Sequence, residues 1–99
     1  MNINSTINGS ELTVAVDGRL DISTAADFDK ALKANLDGVT TLIIDMKDLE
    51  YVSSAGLRVL LATQKTMDEK GGSMKIRNVN ETISEVFIVT GFADILTVE

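Results

Sequence analysis

The chain contains no cysteine and no histidine. Without cysteine it can form no disulfide bond and offers no thiolate, so packing alone must stabilise the fold. Without histidine it lacks the commonest general base and metal ligand, and the usual ligands of zinc are missing altogether. We therefore expect a protein that is not an enzyme and that uses no metal and no cofactor.

Other familiar site patterns are missing as well. Four acidic residues near predicted loops could be imagined as a cation site, but their spacing matches no calcium-binding loop: Asp21, Asp45, Asp48 and Glu50. The pair Gly71-Gly72 has neither the Lys-Ser/Thr of a P-loop nor a dinucleotide fingerprint. The segment Ser53–Gly56 lacks the glycine that precedes the serine of a nucleophile elbow. Hydrolysis and nucleotide binding are therefore not predicted.

Long apolar runs and positive charge are also scarce. No stretch approaches the roughly 20 apolar residues that cross a bilayer, and the first residues lack the basic and apolar segments of a signal peptide. The formal net charge of -6 disfavours nucleic acid, which proteins bind mainly through Lys and Arg. An acidic surface suits a protein partner with a basic surface, although acidity also serves solubility alone. We expect a cytoplasmic protein that binds neither nucleic acid nor membranes.

The hydrophobic pattern predicts one α/β domain, residues 1–99, with the order β-β-α-β-α-β-α-β and a mixed, mostly parallel sheet. Asn8-Gly9-Ser10 predicts the turn of an opening hairpin. The strands are predicted at Ile3–Ile7, Glu11–Val16, Thr41–Asp45, Met74–Arg77 and Ile95–Val98, with Gly18–Asp21 leaving the sheet. The helices are predicted from Ser23 or Thr24 to Gly38, from Ser53 or Ser54 to Gly71, and from Glu81 to Thr90, where Gly91 ends the last one. No proline interrupts them.

The segment after the third strand is the most informative one. A short acidic loop is expected after Asp45, and then Ser53 and Ser54 stand where a helix begins. One interpretation is that a serine only caps the helix. The other is that a serine is phosphorylated, because a helix N-terminus tolerates an anion and the added charge changes what the surface binds. The small residues Ala55 and Gly56 would then let a partner or kinase approach the backbone.

Nearly the whole chain resembles the STAS family, specifically the bacterial anti-sigma factor antagonists. The segments that carry this resemblance are Gly18-Arg19-Leu20-Asp21, Leu42-Ile43-Ile44-Asp45 followed by Leu49, Tyr51-Val52-Ser53-Ser54-Ala55-Gly56-Leu57, and Phe87 with Gly91-Phe92. The resemblance implies a STAS-like domain with its helices mainly on one face of the sheet.

The resemblance also implies a function and its residues. In the family pattern a serine that follows Asp is phosphorylated; here that serine is Ser54, while Ser53 takes the Asp position and remains a competitor. The unmodified protein would bind an anti-sigma factor that is also a serine kinase and so release a sigma factor. Phosphorylation would break the complex and a serine phosphatase would restore it. Asp21, with Ser53, Ser54, Ala55 and Gly56, would contact the partner, and the free protein would be a monomer.

One alternative stays open within the same family. Related domains serve as accessory subunits of transport or other signalling complexes, where the same loop and helix would contact another subunit without phosphorylation. Fold alone does not decide between these functions.

Overall fold

The computed structural model describes residues 1–99, which form a four-stranded sheet and three α-helices. The elements in chain order are β1 (Ile3–Asn8), β2 (Glu11–Leu20), α1 (Ala25–Asn35), β3 (Thr41–Val52), α2 (Ser54–Glu69), β4 (Ser73–Arg77) and α3 (Glu81–Thr90). The strands lie in the order β1-β2-β3-β4; β1 is antiparallel to β2, and β2, β3 and β4 are parallel. The predicted α/β class and mixed, mostly parallel sheet are confirmed.

One face of the sheet carries the hydrophobic core. Alternate side chains of three strands are buried there: Leu12, Val14, Val16, Leu42, Ile44, Met46, Met74 and Ile76. The same cluster contains buried residues from all three helices, among them Phe28 and Leu32 of α1, Leu57, Leu60 and Met67 of α2, and Ile83 and Phe87 of α3. The helices therefore cover one face, as the resemblance implied.

Strand β3 is longer than the pattern predicted, and the expected acidic loop is part of it. Residue pairing with β2 shifts between Ala15 and Asp17 and again between Gly18 and Arg19, which marks two β-bulges. Each bulge adds one residue to β3, so Met46, Leu49 and Val52 stay buried although they are spaced by three. Buried and exposed side chains therefore do not alternate in this part of β3. The prediction that Gly18–Asp21 leaves the sheet was also wrong, because β2 continues to Leu20.

The predicted last strand, Ile95–Val98, is reduced to a single bridge. After Gly91, whose φ of 82° ends α3 as predicted, the chain forms a 3₁₀ turn at Phe92–Asp94. The carbonyl of Phe92 accepts hydrogen bonds from the backbone N–H groups of Ile95 and Leu96, which curls the chain away from the sheet. Val98 then forms a parallel bridge with Ile76 of β4, made by hydrogen bonds from the N–H of Ile76 to the carbonyl of Thr97 and from the N–H of Glu99 to the carbonyl of Ile76.

The side chain of Asn80 connects α3 to the end of β3. Its Oδ1 accepts a hydrogen bond from the backbone N–H of Ile83 at 2.9 Å, which caps the helix, and its Nδ2 donates to the carbonyl of Leu49 at 2.9 Å. The second bond supports the bulged part of β3, which leads directly into α2.

We expect Asn80→Ala to lower the free energy of unfolding by about 1–2 kcal/mol, because both hydrogen bonds are lost. Urea unfolding followed by far-UV circular dichroism measures this. Asn80→Ser keeps a capping oxygen and is the matched control, so it should recover part of the loss. Equal stability of wild type and Asn80→Ala would contradict this role.

Candidate functional site

The candidate site lies where β2 and β3 end at the same edge of the sheet. Leu20 and Val52, the last residues of the two strands, are paired. The backbone N–H of Ser53 then donates to the carbonyl of Leu20 at 2.8 Å. Because this bond joins the two segments, the loop that starts at Asp21 and the first turn of α2 lie at the same edge of the sheet.

The two serines have different positions at the start of α2. Ser53 is the N-cap, with φ -97° and ψ 175°; its hydroxyl accepts from the N–H of Gly56 at 3.4 Å and its side chain is half-buried. Ser54 is the first helical residue and is exposed, and its hydroxyl makes no hydrogen bond to the rest of the chain. The capping interpretation thus applies to Ser53, and it leaves the Ser54 hydroxyl free for chemistry.

Gly56 lies beneath this surface. A Cβ atom added to it would be 2.6 Å from Cγ of Leu20 and 3.1 Å from Cγ2 of Val52, closer than side chains tolerate. The glycine therefore lets α2 approach the ends of β2 and β3, so Gly56 has a packing role; its predicted contact with a partner stays a prediction. Ala55 is half-buried. Small side chains here hold Ser54 close to the sheet edge.

The loop after β2 is fixed by hydrogen bonds around Asp21. Oδ1 of Asp21 accepts from the hydroxyl of Ser23 at 2.6 Å and from its backbone N–H at 3.0 Å. The hydroxyl of Thr24 accepts from the N–H of Asp21 at 2.9 Å and donates to the carbonyl of Arg19 at 2.8 Å. Thr24 is the N-cap residue of α1, one of the two predicted starts, but its hydroxyl bonds within the loop and makes no capping hydrogen bond to the helix.

These contacts also set the charge of Asp21. The hydrogen bond from the Ser23 hydroxyl is the largest cause of the lowered pKa of the Asp21 carboxyl. Burial opposes it, and hydrogen bonds from the backbone N–H of Ser23 and from Thr24 lower the pKa further. The carboxylate is therefore ionised at neutral pH. Asp21 is half-buried and follows Leu20, whose carbonyl is bonded to the residue before Ser54, so both residues lie at the same edge of the sheet.

Two features of the site were missed by the sequence interpretation. The guanidinium of Arg19 lies 4.2 Å from the centre of the Tyr51 ring, and its Nε is 3.8 Å from Oδ2 of Asp21. Arg19 and Tyr51 are direct neighbours only because of the second bulge, so regular strand pairing could not have found them. Ile22, the residue after Asp21, is 85% exposed, and only its apolar character in a turn could have signalled it.

The structure contains no candidate metal site and no helix that could span a membrane. No group of three or more His, Cys, Asp or Glu side chains is arranged to hold a metal ion. None of the helices combines the length and apolar character that crossing a membrane requires. What the site offers is an accessible hydroxyl, an ionised carboxylate, a stacked arginine and an exposed isoleucine, which suit recognition by another protein.

Known proteins resemble this chain over nearly its whole length. A family model described as "Mlab, STAS domain" matches residues 3–97. The anti-sigma-B factor antagonist of Bacillus subtilis is 32% identical over 100 residues, covering 99% of this chain and 92% of that protein.

Solved structures share the fold. An anti-sigma factor antagonist from Mycobacterium paratuberculosis superposes with a TM-score of 0.87 at 22% identity, covering 98% of this chain and 83% of that one. The Bacillus cell fate determinant SpoIIAA in its phosphorylated form superposes with a TM-score of 0.77 at 17% identity, covering 99% of this chain and 91% of that one. The chain therefore belongs to the STAS domain family and is similar over its full length to the anti-sigma factor antagonists within it.

Proposed function

We propose that this protein is a partner-switching anti-sigma factor antagonist of the cytoplasm. The unmodified protein binds an anti-sigma factor that is also a serine kinase, and the bound sigma factor is released. The kinase transfers the γ-phosphoryl group of ATP to the Ser54 hydroxyl, which breaks the complex, and a serine phosphatase restores the hydroxyl. The protein is a substrate and a ligand in this cycle, and a monomer when free.

The exposed, unbonded hydroxyl of Ser54 at the first position of α2 is the observation that carries this proposal. A kinase can reach it without unfolding the chain. The similarity to the B. subtilis antagonist supports the same activity, and a fold shared with a protein solved in a phosphorylated form is consistent with it.

The local geometry favours Ser54 over Ser53 as the modified residue. A phosphate on Ser53 would remove the oxygen that caps α2 and would have to enter a half-buried position. A phosphate on Ser54 stays in solvent, beside the free N–H groups and the positive end of the helix dipole. Modification at Ser54 therefore changes the binding surface and leaves the fold intact.

The charge of the surface explains why the complex would break. A phosphate adds about -1.5 to -2 charges at neutral pH. It would stand at the same edge of the sheet as the ionised carboxylate of Asp21, within an area that the partner would desolvate. Repulsion and desolvation both disfavour the phosphorylated complex.

Phosphate mapping tests the proposal. We expect a single phosphate on Ser54 when the purified chain is incubated with ATP and a lysate of its native cells and then analysed by tandem mass spectrometry. Ser54→Ala should prevent the modification, whereas Ser53→Ala should retain it, because loss of the cap leaves the Ser54 hydroxyl exposed.

Two other outcomes would be decisive. Phosphorylation of Ser53 in the wild type would show that Ser53, and not Ser54, is the modified residue. A chain that is never phosphorylated and that captures a transporter subunit in both its wild-type and Ser54→Asp forms would support the accessory-subunit alternative.

A further inference from the structure

We propose that Ile22 is the apolar anchor of the partner complex: its side chain, at the sheet edge where Ser54 begins α2, inserts into an apolar pocket of the anti-sigma factor. This inference deepens the proposed function and rests on it, because it takes the anti-sigma factor as the occupant. It adds a contact residue that determines which partner fits, whereas Ser54 determines when the partner binds.

Exposure singles out Ile22. Its side chain is 85% exposed, the largest value among the large apolar residues of the chain. It stands in the loop between β2 and α1, flanked by Asp21 and Ser23. A lone exposed isoleucine is common on protein surfaces, so exposure alone would decide nothing. The position and rigidity of the loop are what make it informative.

Hydrogen bonds hold the loop of Ile22 in a fixed place at the sheet edge where α2 begins. Residues on both sides are bonded to each other through the Asp21 carboxylate and the Ser23 hydroxyl at 2.6 Å. Thr24 ties the loop back to Arg19, and the Leu20 carbonyl ties it to the N–H of Ser53 at 2.8 Å. A residue that is fixed before binding loses little conformational entropy when it is buried, which is the property of an interface anchor.

The neighbours of Ile22 define the chemistry of the pocket. On one side is the ionised Asp21 carboxylate, and close to it is Arg19, stacked on the half-exposed ring of Tyr51. Arg19 and Tyr51 contact each other beside the residue that precedes Ile22, and arginine, tyrosine and exposed apolar side chains are residue types that protein interfaces use. The complementary surface is an apolar pocket whose rim carries a cationic or N–H donor group opposite Asp21.

Affinity measurements with Ile22→Asn test this inference. The ligand is the kinase-type anti-sigma factor that the wild-type chain retains from a native lysate, purified and titrated by isothermal calorimetry. We expect Ile22→Asn to weaken binding at least tenfold, because the apolar contact is lost and an amide must be desolvated. Ile22→Val should remain within about threefold of the wild type, since most of the apolar surface is kept.

Ile88→Asn is the matched control. Ile88 is also exposed, at 64%, but it lies in the last turn of α3, about two turns from the Asn80 contact with β3. It should bind like the wild type. Neither residue is buried, so both asparagine variants should unfold at the temperature of the wild type.

The outcomes separate the anchor from the switch. If Ser54→Asp no longer binds the partner and Ile22→Asn still does, the role of Ile22 as anchor is contradicted and the proposed function stands. Equal losses in Ile22→Asn and Ile88→Asn would also overturn the anchor. If the wild type retains no anti-sigma factor, the proposed function fails, and the anchor with it.

Discussion

Phosphorylation of Ser54 is expected to weaken binding to the anti-sigma factor about a hundredfold, which corresponds to about 3 kcal/mol of binding free energy. The phosphate would be placed at the exposed start of α2, at the sheet edge where the loop of the ionised Asp21 also begins. Ser54→Asp should reproduce part of this effect, about tenfold, because it adds one charge instead of nearly two. Isothermal titration of the purified partner measures both.

Two variants control for causes other than charge at this position. Ser54→Ala removes the hydroxyl without adding charge and should keep the affinity of the unmodified wild type. Ser73→Asp adds the same charge at an exposed position at the start of β4. Ser73 pairs with Thr41, the first residue of β3, so it lies at the opposite edge of the sheet from Ser54, which follows the last residues of β3. If Ser73→Asp weakens binding as strongly as Ser54→Asp, net charge explains the effect and the local mechanism is contradicted.

Phe28→Ala is expected to lower the free energy of unfolding by about 3–5 kcal/mol. Phe28 is fully buried in the cluster that joins α1 to the sheet, and it is one of the largest side chains there. The variant leaves a cavity that neighbouring side chains fill only in part. Because small domains have only about 5–15 kcal/mol of stability in total, much of the margin is lost.

Urea unfolding followed by far-UV circular dichroism measures this loss. Phe92→Ala is the matched control, since Phe92 is half-buried at the edge of the same cluster and its truncation should cost clearly less. Equal losses in the two variants would contradict the assignment of Phe28 to the centre of the core.

The parts of the fold that were predicted correctly follow simple periodic rules. The hairpin around Gly9 is recognised by its turn residues, and the buried face of β2 by the alternation of Leu12, Val14 and Val16. The end of α3 at Gly91 follows from the left-handed conformation that glycine adopts most readily. Each of these signals is local, so a single sequence contains it.

The parts that were wrong depend on tertiary structure. The two bulges of β3 make Met46, Leu49 and Val52 recur every third residue, which resembles neither a strand nor a helix. Ile95–Val98 has the composition of a strand, but the turn after Gly91 leaves one bridge. A pattern of residue types contains no information on either bend.

The same distinction applies to the site. The resemblance pointed to Ser54 and Asp21 because they stand in a recognisable motif, and the structure brings the loop of Asp21 and the first turn of α2 to one sheet edge. Capping was expected of one of the two serines, and the structure assigns it to Ser53. The stacking of Arg19 on Tyr51 and the exposure of Ile22 required coordinates, because each depends on the tertiary structure.

A sigma-release assay tests the central claim most directly. A purified complex of the anti-sigma factor and its sigma factor is mixed with the unmodified chain or with the chain phosphorylated on Ser54, and free sigma factor is measured by size-exclusion chromatography. We expect the unmodified chain to release the sigma factor, and the phosphorylated chain to do so only after phosphatase treatment. Equal release by both forms, or by neither, would contradict partner switching through Ser54.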